Sequence, residues 1–113
     1  MHSRTLNALT ERKHAWTQEE NAQLTYGVNW AGLLDSDTVS TSTWTTEDSN
    51  LSIDTEASTT KLTTAQLSGD SGRYRAVNKI VTAAGDTHER YIEVTILDNS
   101  LGYGVTNDYG WFR

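Results

Sequence analysis

The sequence predicts an all-β protein, an antiparallel β-sandwich of about seven strands with extended arms at both ends. Three observations carry this. Apolar residues recur with a two-residue period, most plainly at Leu24, Tyr26, Val28 and Trp30, which is the period of a half-buried strand. Serine and threonine are abundant and proline is absent, a mix that suits exposed antiparallel strands better than helices. Turn signals separate the candidate strands at intervals of about 8–12 residues, the spacing of a sandwich or barrel.

The chain has 113 residues, enough for one domain with a single two-layer core. Three zones follow from composition: a polar, slightly basic leader at 1–14 (the N-terminal arm), the sandwich at 15–98, and an aromatic, glycine-rich arm at 99–113. Cysteine is absent, which removes disulfides and thiolate metal sites and leaves packing or partners to stabilise the fold. Nine basic against 15 acidic residues give a net charge of −6, which argues against a nucleic acid partner. Residues 1–14 carry no apolar run of signal-peptide length, and no stretch is apolar enough to span a membrane, so no membrane partner and assembly in a cytoplasm are expected.

In chain order, the leader offers the one candidate helix, since Leu6, Leu9 and Lys13 have near-helical spacing and Ser3 or Thr5 can cap it. Strands are expected at 14–18, 22–30, 38–45, 50–54, 59–67, 73–82 and 86–97. The fourth rests on Leu51 and Ile53 alone. The last two form a hairpin around Thr82-Ala-Ala-Gly-Asp86, with Gly85 in the left-handed position. With Thr82 opposite Asp86, Lys79 faces Glu89 and Arg75 faces Glu93 on the outer face, while Ala76 faces Ile92 and Tyr74 faces Val94 on the inner face. A slip of one residue loses both sets at once, so this register is expected.

Asp70-Ser-Gly-Arg-Tyr-Arg-Ala76 resembles the immunoglobulin tyrosine corner, in which a tyrosine hydroxyl bonds back to the preceding connection and the residue two positions later points into the core. Tyr74 and Ala76 occupy those places, which makes the predicted sandwich immunoglobulin-like. The core tryptophan is then Trp44, late in the third strand; the alternative gives that role to Trp30 and leaves Trp44 on the surface.

Candidate chemistry is sparse. The histidines are His2, His14 and His88, and no strained nucleophile turn accompanies them, so no catalytic residues and no enzyme activity are expected. Asp35 and Asp37 have the residue types of a calcium loop without its full pattern, and a solvated turn explains them as well; Asp54 and Glu56 read the same way. No cofactor or metal is expected. Arg73, Arg75 and Lys79 line one face of the sixth strand, but the expected register sets Glu93 and Glu89 beside them, a paired sheet face rather than a phosphate track. The C-terminal arm is more distinctive. Tyr103, Tyr109, Trp111 and Phe112 lie among glycines at 102, 104 and 110, and large aromatics on so pliant a segment need a surface to dock on. They are the candidate partner-binding residues, either on a neighbouring subunit or protein or folded back on the sandwich itself.

The string L-T-Y-G-V-N-W at 24–30, followed by L-L-D-S-D-T-V-S-T-S-T-W ending at Trp44, resembles the opening of the sandwich in small immunoglobulin-like virion proteins of tailed bacteriophages, the fiber-tail adaptor family. A second stretch, matching at Thr82, Ala84, Gly85, Glu89 and Arg90, is similar to that family's "T-x-A-G-x-x-x-E-R" before the last strand. The resemblance spans roughly residues 16–98. It implies a structural protein of the virion tail that joins tail fibres to the tail or neck. Its partners would be tail, neck and fibre proteins and further copies of itself in a ring-like assembly. A capsid head decoration protein and a carbohydrate- or receptor-binding module on the virion surface are the alternatives. The leader and the aromatic arm fall outside the resemblance, and the family carries no catalytic residues to transfer.

Overall fold

The computed structural model describes residues 4–98. Among these, eight strands and one short helix follow in the order β1 (Thr5–Asn7), β2 (Lys13–Glu19), β3 (Leu24–Asn29), α1 (Ala31–Leu34), β4 (Val39–Thr45), β5 (Leu51–Ser58), β6 (Leu62–Gly69), β7 (Gly72–Thr82) and β8 (Thr87–Leu97). They form two four-stranded sheets, β1-β3-β6-β5 and β2-β8-β7-β4, packed face to face as a sandwich.

The β7–β8 hairpin is the longest element pair, and its register is the one the sequence dictates. Arg75 lies opposite Glu93, Lys79 opposite Glu89, Tyr74 opposite Val94 and Ala76 opposite Ile92. The turn closes through Thr82 N–H to the Asp86 carbonyl (2.8 Å) and Gly85 N–H to the Thr82 carbonyl (2.9 Å). Gly85 has φ +93°, a conformation that a side chain would strain. Along β7 the inner positions Tyr74, Ala76, Asn78, Ile80 and Thr82 are buried, while Arg73, Arg75 and Lys79 are exposed.

Two features differ from expectation. The sandwich has eight strands rather than about seven, and two of its pairings are parallel, β1 with β3 and β2 with β8. The extra strand and the first of these pairings come from the leader, and the second pairing from β2, the strand expected at 14–18. Instead of a helix in an arm, residues 5–7 form β1, with Leu6 paired to Val28. The spacing of buried residues shows why. Leu6 and Ala8, two apart, are both fully buried, whereas Leu9, which helical spacing would place beside Leu6, is 58% exposed. A turn follows in which Asn7 accepts from Glu11 N–H (2.9 Å) through its carbonyl and from Leu9 N–H (3.1 Å) through its side chain. It delivers the chain to β2. The helix lies elsewhere: α1 is one turn after Trp30, with Asn29 Oδ1 accepting the Ala31 N–H (3.0 Å) and Leu34 turned into the core.

β5 extends past the expected 50–54 because a bulge between Asp54 and Ala57 lets it bend while still pairing with β6. Thr55 takes φ 49° there, and Glu56 swings across to accept the backbone N–H of Trp44 (3.3 Å), so the edge of β4 is met by the neighbouring sheet. At the other end of β5 the strands crowd so closely that a Cβ on Gly69 would collide with the Asn50 carbonyl.

One core cluster joins the inner faces. Both tryptophans that competed for the core belong to it: Trp30 is fully buried and Trp44 is 4% exposed. Tyr74 and Ala76 are buried beside them. Each large apolar side chain of this kind contributes about 1.5–3 kcal/mol relative to exposure.

Candidate functional site

Four sets of side chains fix how the sandwich presents its surfaces. The first ties the two sheets together through their centre. The Trp30 indole N–H lies 3.2 Å from both Thr63 Oγ1 and Asn78 Oδ1, and the Thr63 hydroxyl donates to Asn78 Oδ1 at 2.6 Å. Asn78 Nδ2 in turn donates to Ser42 Oγ (2.9 Å) and to the Thr43 carbonyl (3.2 Å). Trp30, Thr63 and Asn78 are all fully buried, so these bonds replace the ones water cannot make there. The Trp44 indole N–H, by contrast, is buried without a partner among the described residues.

The second set ties the sheets near the other end. The Tyr26 hydroxyl donates to Gln18 Oε1 at 2.7 Å, and Gln18 Nε2 donates to the carbonyls of Leu67 and Ala22, each at 3.1 Å. Burial pushes the Tyr26 phenol up to about 12, against a small opposing pull from the Arg4 guanidinium that lies 5.5 Å over its ring.

The third set consists of cations clamped on backbone carbonyls. Arg90 holds the Ala8 carbonyl with Nε (3.0 Å) and Nη2 (2.9 Å) and lies 5.5 Å over the Trp30 ring. It thereby fastens the end of the leader onto β8, which is what the arginine of the "E-R" pair does here. Lys61 Nζ donates to the carbonyls of Asp35 and Asp37. A calcium ion in that loop would need those oxygens, and the ammonium already occupies them. The Asp37 carboxylate is instead a turn brace, held below the usual carboxylate range by the Thr82 hydroxyl first and by the backbone N–H of Thr38 (2.8 Å) and Ala84 (3.3 Å). The tyrosine corner is present as well: the Tyr74 hydroxyl donates to the Asp70 carbonyl at 2.7 Å, and burial raises its pKa.

The fourth set is the outer face of the β2-β8-β7-β4 sheet. Parity puts Arg73, Arg75, Val77, Lys79 and Val81 of β7 on it, beside Thr95, Glu93, Tyr91, Glu89 and Thr87 of β8. The Arg75 guanidinium lies 4.4 Å over the Tyr91 ring. Among the described residues the ion pair within 4 Å is His14–Glu11, at 2.6 Å, so the charges of β7 and β8 are in register without being in contact. A groove of about 740 Å³ runs over Arg73, Arg75 and Val77, walled by Glu47 and Asp48 on one side and Glu89 and Glu93 on the other.

The remaining sequence candidates are accounted for individually. His14 is bonded to Glu11 and its ring stacks on Trp16 (4.1 Å), while His88 packs 6.2 Å from Trp30. Trp16 also meets the edge of Tyr26 at 5.7 Å, so its rings are occupied rather than offered to a sugar. Tyr103, Tyr109, Trp111, Phe112 and His2 lie outside the described residues.

A family model described as podophage GP4 fiber-tail adaptor protein gp77 matches residues 18–95. The chain belongs to the podophage fiber-tail adaptor family. This is a family of structural tail proteins of phages, and the all-β sandwich described above is the body that the match covers. A search of curated proteins finds no match. The adaptor match starts inside β2 and stops inside β8, so it takes in both buried polar ties and the Lys61 and Arg90 side chains but leaves β1 outside.

Several of these residues were not singled out from the sequence. Asn78 was within reach, because its even-numbered place in β7 puts it on the inner face among Ala76 and Ile80, where an amide must find partners. Gln18 could be placed by the same parity in β2. Lys61 carried no such signal, since it bonds backbone carbonyls that any sequence supplies.

Proposed function

We propose that this adaptor joins tail fibres to the phage tail as a rigid sandwich with a docking arm. The sandwich is the body, and Tyr103, Tyr109, Trp111 and Phe112 are the aromatic anchors that seat on a neighbouring virion protein. Copies of the chain stand together in a ring in the virion tail, with tail proteins on one side and fibre proteins on the other, after assembly in the host cytoplasm. The sandwich contributes no chemistry and works through protein–protein contact alone.

The observation that carries this reading is the family match over 18–95, which assigns the adaptor role and leaves the aromatic segment outside the common body. The packing of the leader supports it: with Leu6 and Ala8 in the core and Ala8 clamped by Arg90, residues 4–14 belong to the body, and the docking role falls to residues 99–113. The test is a phage whose adaptor lacks residues 101–113. Purified particles are expected to lack the adaptor or the fibres by mass spectrometry, while the truncated protein alone melts within about 2 °C of the full chain. Particles with a normal fibre complement, imaged by cryo-electron microscopy, refute the arm.

A further inference from the structure

We propose that the outer face of the β2-β8-β7-β4 sheet is self-complementary and takes a second copy of this chain through a two-fold contact. The axis runs along the strands, midway between β7 and β8. The proposal does not rest on the adaptor role, because it concerns the free protein.

The register supplies the complementarity. The basic residues Arg75 and Lys79 stand in one column on β7, and Glu93 and Glu89 stand in the next column on β8, each directly opposite its counterpart. Between these two rows lies an apolar one, Val77 opposite Tyr91. A two-fold rotation about the stated axis exchanges the columns and preserves the rows. It therefore lays Arg75 of one copy over Glu93 of the other, Lys79 over Glu89, and Tyr91 over Val77, each contact occurring twice. No other in-plane axis along the strands gives opposite charges in both rows. The charges are available for this, since none of them is within 4 Å of an opposite charge among the described residues. The centre of the patch is a half-buried tyrosine with an arginine stacked on it at 4.4 Å, the residue types that carry interface energy.

The size of the face sets the strength. Four strands at about 4.8 Å spacing and some 8 residues of about 3.3 Å rise give roughly 500 Å² per copy. That is below the standard size for specific complexes, so dissociation in the range of about 10–500 μM is expected.

The experiment uses sedimentation equilibrium of the full chain and two variants, one with Arg75→Glu and Lys79→Glu, the other with Glu89→Lys and Glu93→Lys. In the first, all four charges of the two paired rows are acidic, and in the second all four are basic. The wild type is expected to show concentration-dependent dimers. Each variant alone is expected to dissociate at least about tenfold more readily, and the equimolar mixture to form a one-to-one dimer at least as tight as the wild type. Recovery in the mixture also shows that both variants are folded, with near-ultraviolet circular dichroism of each as the independent check. A wild type that stays monomeric at 1 mM, or a mixture no more associated than its parts, overturns the proposal. Variants that associate as well as the wild type place the contact elsewhere, on the aromatic segment for example, and overturn it equally.

Discussion

Replacing Asn78 with leucine tests whether the central polar tie holds the two sheets together. Leucine shares the branched heavy-atom skeleton of asparagine but is the bulkier side chain, so the change removes the hydrogen bonds and adds some crowding. Asn78 makes four of them: it accepts from Trp30 Nε1 (3.2 Å) and Thr63 Oγ1 (2.6 Å) and donates to Ser42 Oγ (2.9 Å) and the Thr43 carbonyl (3.2 Å). The losses are unequal. The Trp30 N–H keeps Thr63 Oγ1 as acceptor at 3.2 Å, and Ser42 is only half buried. The Thr63 hydroxyl, fully buried, is left with no acceptor for its proton. Orphaning one buried group costs about 1–3 kcal/mol and weakening the others adds about 1, against a gain of about 1–2 from burying the leucine. A net loss of about 1–3 kcal/mol follows, which lowers the melting temperature by roughly 5–12 °C in a domain of this size. Urea denaturation of the full chain measures it. The decisive companion is Thr63→Val, nearly the same shape without the hydroxyl. Added to Asn78→Leu it exchanges one buried orphan for another, since the Trp30 N–H then loses its last acceptor, and should leave stability about unchanged, whereas in the wild-type background, where Trp30 keeps Asn78 Oδ1, it should destabilise. Strictly additive losses, or an Asn78→Leu variant as stable as wild type, refute the reasoning.

Three further predictions follow from the same geometry. The Tyr26 phenol rises from 10.0 to about 12 on folding, so the folded state holds its proton longer than the unfolded chain; the associated stability is intact below pH 10 and is lost as pH climbs through 12, by on the order of 2 kcal/mol. Tyr26→Phe should flatten that alkaline loss while costing about 1 kcal/mol at pH 7 from the stranded Gln18 carbonyl, both read from melts across pH; an unchanged alkaline slope contradicts the assignment. Arg90→Lys keeps the charge but not the two-pronged grip on the Ala8 carbonyl, and should cost about 1–2 kcal/mol and speed amide exchange in β1 more than in β8. Equal exchange in both strands would show that the clamp does not act on the leader. Finally, Lys61 occupies the Asp35 and Asp37 carbonyls, so millimolar calcium should shift the melting temperature by less than about 1 °C. A calcium-dependent rise of several degrees sinks that reading.

The hairpin was legible because two independent signals met in it. Charge pairs on one face and apolar pairs on the other agree on a single register, and the glycine at position 85 fixes the turn between them. What pairing in the sequence does not determine is where a long side chain goes once it is in register. Arg75 has Glu93 opposite, yet its guanidinium lies on the ring of Tyr91, the diagonal neighbour, because a planar cation on an exposed sheet gains as much from an aromatic face as from a solvated carboxylate. The leader was misread for a different reason. A strand of three residues cannot display a two-residue period, so Leu6 and Leu9 suggested a helix, and only tertiary pairing with β3 decides between them. The two tryptophans could not be ranked because the sandwich buries both, one with its indole N–H satisfied across the sheets and one without a partner.

The family match meets itself in space. Its first residue, Gln18, pairs directly with Ile96, one position past its last, because β2 and β8 run parallel at that edge. The sequence at 99–113 therefore continues from a strand held on both sides, by β2 through residues 13–19 and by β7 through residues 72–81. The junction is reinforced by Glu20 N–H on the Leu97 carbonyl (2.9 Å). A load applied to β8 along its own axis would strain those bonds side by side rather than one after another, and breaking it free would require shearing two ladders and withdrawing Ile92, Val94 and Ile96 from the core. An edge strand such as β5 could be peeled from one neighbour. Under the docking role proposed for residues 99–113, the strand that precedes them is the one that is hardest to remove. The parallel strand β2 is what gives β8 its second neighbour.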